Sequence, residues 1–133
     1  MNVSVPALRL WLLVCMSLFM GCAAARVEPG SGSQLTVEGR TYDQVWYAAL
    51  NVVAQHLRIS LGTNKERGTI RAEREGRILA GSEVIGVFIT PPNAASERYT
   101  VEVVSRKQGP GQFIGRNWEP IILDELKKAL KLE

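Results

Sequence analysis

The segment Glu83-Val-Ile-Gly-Val-Phe-Ile-Thr90 constrains this chain more than any other. Every position from Val84 to Ile89 is apolar or glycine, and Pro91-Pro92-Asn93 ends the run. So short an apolar run with β-branched and aromatic residues predicts a strand covered on both faces. The fold must therefore supply two layers of cover. The remaining elements decide what those layers are.

Gln34–Gly39 alternates Leu35 and Val37 with polar residues and reads as a strand. Thr41 and Gln44 form a capping box, in which hydroxyl and amide side chains satisfy each other's backbone N–H groups. The helix it opens runs from about Tyr42 to Leu57. Trp46, Leu50, Val53 and Leu57 form its stripe, and Val45, Ala49 and Val52 widen it. The period then drops to two through Leu57, Ile59 and Leu61, and again through Ile70 and Ala72, around a turn at Gly62–Gly68. These strands predict one antiparallel hairpin. The 83–90 run and an alternating strand through Tyr99, Val101 and Val103 predict a second. Asn117 caps a final helix with Glu119 and Pro120 in its first turn, and Ile122, Leu126, Ala129 and Leu130 on one face. The expected class is α+β in the order β-α-β-β-β-β-α. It is an antiparallel sheet of about five strands, with one long helix packed on it and a C-terminal helix joining the same core. Two helices on one face leave the second face of the 83–90 strand without an obvious cover, and an uncovered apolar face is an interaction surface.

Upstream, Arg9 is the only charged residue among the first 25, followed by the apolar run Leu10–Met20, then Gly21-Cys22 and Ala23–Ala25. A positive start, an apolar run and small residues at the cut describe a secretory signal. The cysteine directly after Gly21 resembles a bacterial lipobox, with Phe19 and Met20 standing where Leu and a small residue are typical. The resemblance implies that residues 1–21 are removed and that Cys22 carries lipid. Ala23 in place of Asp implies retention at the outer membrane, facing the periplasm. Two alternatives stay open. Cleavage after Ala25 would release a soluble protein. An uncleaved anchor would have to cross with the 16 residues from Leu10 to Ala25, short of the ~20 required.

Residues 22–33 contain Arg26-Val-Glu-Pro-Gly-Ser-Gly-Ser33, a composition expected of a flexible tether that does not pack. Residues 34–133 are then a single domain, enough for one core and too few for two. Cys15 leaves with the signal and Cys22 is acylated, so the domain has neither disulfide nor thiol chemistry. The chain carries 16 Lys and Arg against 13 Asp and Glu, dispersed along its length, which argues against nucleic acid as a partner.

The stretch Thr41-Tyr-Asp-Gln-Val-Trp-Tyr-Ala-Ala-Leu50, then Ile59, then Lys65-Glu-Arg-Gly-Thr-Ile-Arg-Ala72, is similar to the BamC-like group. That group is named for an outer-membrane assembly lipoprotein with helix-grip domains. The resemblance implies fold and compartment, and an envelope interaction or assembly role without catalysis.

Chemistry-bearing residues are sparse. His56 is the only histidine, so paired acid–base or nucleophilic sets lack a second member, and no enzyme activity, metal or cofactor is expected. Asp124 and Glu125 are adjacent on a helix and point apart. Arg67, Arg71, Arg74 and Arg77 read first as a solvated face beside Glu66, Glu73 and Glu75, and second as a contact for anionic lipid or an acidic partner. Phe113 lies in the glycine-rich loop 108–115, and Arg116 and Trp118 follow it. They are candidate contacts for an envelope protein partner, or a lid on the core in the case of Phe113 and Trp118. A small ligand held between helix and sheet is the alternative role.

Overall fold

The computed structural model describes residues 26–74, 82–108 and 116–132. It is an α+β fold: β1 (Ser33–Glu38), α1 (Tyr42–His56), β2 (Arg58–Asn64), β3 (Thr69–Arg74), β4 (Ser82–Thr90), β5 (Arg98–Gln108) and α2 (Trp118–Leu130). The five strands form one antiparallel sheet in the order β1-β5-β4-β3-β2. β2 to β5 are a meander, and β1 pairs with β5 at the far edge. α1 must therefore carry the chain from one edge of the sheet to the other.

Local signals set the helix ends. Gln44 N donates to Thr41 Oγ1 at 3.2 Å and Thr41 N donates to Gln44 Oε1 at 2.9 Å, completing the box. Asn117 Oδ1 accepts from Glu119 N and caps α2. Both helices lie on the same face. Val45, Ala49 and Val53 of α1, Ile122 and Leu126 of α2, and Ile70, Ile85, Val87, Val101 and Val103 of the sheet form one continuous core. α2 is rotated slightly from expectation: Leu123 is buried, whereas Ala129 is exposed. A leucine removes more apolar area from water than an alanine, so the helix turns toward it.

The opposite, outer face of β4 is where the structure departs from the sequence reading. Val84 and Phe88 are buried there with Val104, and the residue covering them is Val27, only 2 % exposed. Residues 27–32 are thus not a free tether: they cross the outer face as a strap before entering β1. Gly86 makes room for it. A Cβ at Gly86 would stand 2.8 Å from Val27 Cγ1 and 2.9 Å from the Phe88 ring. The apolar surplus of β4 thus has its two covers, the helical core and the strap.

Because Val27 fills a closed site, Val27→Ala should cost about 2 kcal/mol of unfolding free energy in urea. Gly86→Ala should also destabilise, and the double variant should be more stable than the sum of the two by roughly 1 kcal/mol. Full additivity would mean that Val27 does not sit over Gly86.

Candidate functional site

The densest polar constellation among the described residues is where the strap meets the sheet. Glu102 lies on β5, opposite Phe88 of β4 and Gln34 of β1, and is 6 % exposed. Its alternation places it on the outer face, where the strap roofs it over. Glu102 Oε1 accepts from Gly30 N at 2.7 Å and from Gly32 N at 2.8 Å. Backbone N–H groups donating to a carboxylate form bonds about twice as strong as neutral ones, and they repay part of the cost of burying the charge. Gly32 is required by space: a Cβ there would sit 2.1 Å from the Val103 carbonyl oxygen.

A second carboxylate continues the clamp one residue on. Glu119, in the first turn of α2, accepts from Ser33 N at 3.1 Å and Ser33 Oγ at 2.8 Å through Oε2. Its Oε1 accepts from Ser105 N at 3.0 Å. Glu119 therefore joins the start of β1, a β5 amide just past the last β1–β5 pair, and the N-terminus of α2, where a negative charge also suits the helix dipole. Close by, Ser105 Oγ donates to the buried Glu83. Two glutamates 17 positions apart in sequence thus hold the chain entry at residues 30–33.

The other candidates separate. Cys22, Phe113 and Arg77 lie outside the described residues. Arg116 is exposed beside the α2 cap. Trp118 belongs to the core at 5 % exposure, so its ring is not presented to a partner. The His56 ring centroid lies 5.8 Å from it and the Arg74 guanidinium 5.1 Å. Trp118 Nε1 is buried without a hydrogen-bond partner among the described residues. His56 Nε2 lies 2.7 Å from Glu125 Oε2 and ties the end of α1 to α2. Asp124 instead pairs with Lys128 at 2.6 Å, and that hydrogen bond holds its carboxyl below the usual aspartate value. On the exposed side of α1, the hydrogen bond that Lys65 donates to Asp43 raises the Lys65 ammonium above its ordinary value, and Lys65 Nζ lies 4.8 Å from the centroid of the exposed Tyr47 ring.

The surface holds shallow cavities. One of about 470 Å³ is lined by Arg40, Tyr42, Asn93 and Tyr99 among others. Three of its polar side chains are engaged: Arg40 donates to the Leu130 carbonyl, Tyr42 Oη to that of Lys65 and Tyr99 Oη to that of Ala94. Between helices and sheet, Val45, Ala49, Ile85, Val87 and Val101 are fully buried against one another. No group of His, Cys, Asp and Glu among the described residues is placed to hold a metal, and no described helix is long and apolar enough to cross a membrane.

Glu102 and the strap were missed as a site because each looks ordinary alone. The signal available was an acid inside an otherwise apolar strand stretch, Val101-Glu-Val-Val104, together with two glycines near a lone valine upstream. The chain matches no protein-family model, and no curated protein matches it.

Glu102→Gln keeps the shape but exchanges two charge-assisted bonds for neutral ones, and should cost about 1–3 kcal/mol in urea unfolding. Glu102→Ala, which also leaves both amides without an acceptor, should cost more. Equal stability of all three proteins would remove the clamp from the account.

Proposed function

We propose that this chain is a lipid-anchored envelope protein, attached through Cys22 to the periplasmic face of the outer membrane. Its domain acts there as a non-enzymatic interaction or assembly module. The observation that carries the reading is the order of residues from Arg9 to Ala23: a positive start, an apolar run, then Gly21-Cys22-Ala23. The resemblance to the BamC-like group favours the same compartment and role.

The strap fits such an attachment. A domain held by one end carries every displacement of its anchor through the residues next to it. Here those residues are seated by Val27, packed on Val84, Phe88 and Val104, and by four donors on Glu102 and Glu119. Seating residues 27–32 shortens the free length between anchor and domain, and so narrows the orientations the exposed faces can take toward neighbours. A loose polar linker would give neither property. The packed seam between helices and sheet favours this module over a domain that encloses a small ligand.

Replacing Cys22 by Ser should abolish labelling by radioactive palmitate and move the protein out of the outer-membrane fraction. Unchanged labelling and unchanged fractionation would contradict the attachment.

A further inference from the structure

The strap has a direction. Val27 lies over Gly86 on β4, and Gly32 lies against Val103 and Val104 on β5, so the chain crosses the strands toward β1. Its described start, at Arg26 and Val27, lies on the outer face. Cys22 and Val27 are five positions apart, a reach of at most about 18 Å when fully extended. To reach a membrane on the helical side, that segment would first have to pass the sheet edge beyond β3 and β2. That is about 10 Å at the usual strand spacing. It would then have to pass the thickness of sheet and helix, roughly 15 Å more. The reach does not allow it.

Charge on the outer face points the same way. Arg71 is the cross-strand neighbour of Gly86, Arg106 is that of Val84, and Arg26 precedes Val27. All three are exposed, and none makes an ion pair among the described residues. They lie around the described start of the strap. The acids of the same face are mostly occupied. Glu102 lies under the strap, Glu38 is held by Arg98 at 2.6 Å, and the half-buried Glu73 accepts from Ser60 Oγ at 3.4 Å. Glu28 is the exposed acid of the strap.

We propose that the outer face of the sheet, around Arg26, Arg71 and Arg106, rests on anionic lipid headgroups while the helical layer faces away from the membrane. The inference rests on the lipid anchor at Cys22. Arginine side chains favour such a surface because each brings a permanent charge and a planar set of donors to phosphate oxygens.

The test uses the acylated full chain in vesicles of phosphatidylethanolamine and phosphatidylglycerol. With Cys15 removed and Cys22 acylated, an introduced cysteine is the single free thiol. A fluorophore is placed at Thr36→Cys on the outer face or at Gln55→Cys on α1, and read by a headgroup-linked quencher. Quenching should be roughly twofold stronger at Thr36. Arg71→Gln with Arg106→Gln should weaken the docked orientation by roughly thirtyfold and erase the difference. Equal quenching at both positions, stronger quenching at Gln55, or no effect of the arginine changes overturns the orientation while the chain still floats with the vesicles. A chain that takes no palmitate and does not float contradicts the anchor itself, and the orientation falls with it.

Discussion

A carboxylate placed within an apolar sheet face is unfavourable unless its oxygens find donors, because burial strips it of water. Glu102 meets that condition only while Gly30 and Gly32 direct their amides at Oε1. The dependence runs both ways. Without Glu102 the strap loses its polar anchor, and without the strap Glu102, Val84, Phe88 and Val104 lose their cover. Val27 then supplies apolar contact where the clamp supplies direction. Gly32 and Gly86 are the two positions at which the backbone comes too close for a side chain. The strap is therefore a structural element built from one valine, two amides and two absences of Cβ.

Much of the rest could be read from the residues because its causes are local. The Thr41–Gln44 box needs only four consecutive residues, and the alternation of β3 and β5 is decided by which side chains reach the core. The strand order inside the meander follows from short connections. Two things were out of reach. The partners of Val27 lie 57 positions or more along the chain, and no periodicity of the Pro-Gly-Ser stretch signals them. Likewise, Glu102 obeys the outward phase of its strand, and only the long-range fold puts another segment above it. Trp118 shows the converse: an aromatic beside a glycine-rich loop looks like a binding anchor until the helix start rotates it into the core. The rotation of α2 toward Leu123 is a finer case, since Leu123 and Ala129 both lie within reach of one broad stripe.

The strap also changes what a lipid at Cys22 would mean. A free tether from 22 to 33 would let the domain tumble above the membrane. Seating residues 27–32 leaves four residues between Cys22 and Val27, so a lipid at Cys22 would fix a face as well as a distance. Under the proposed attachment, the surfaces turned away from the strap would be those of α1 and α2.

Both the cover of the outer face and the burial of Glu102 depend on the strap being part of the folded domain. Hydrogen exchange of the Gly30 and Gly32 amides measures that directly, since both are donors to a buried carboxylate. Both amides should exchange about two orders of magnitude or more slower than in a free peptide, and be released in Glu102→Ala. Exchange at free-peptide rates in the unaltered protein would contradict it.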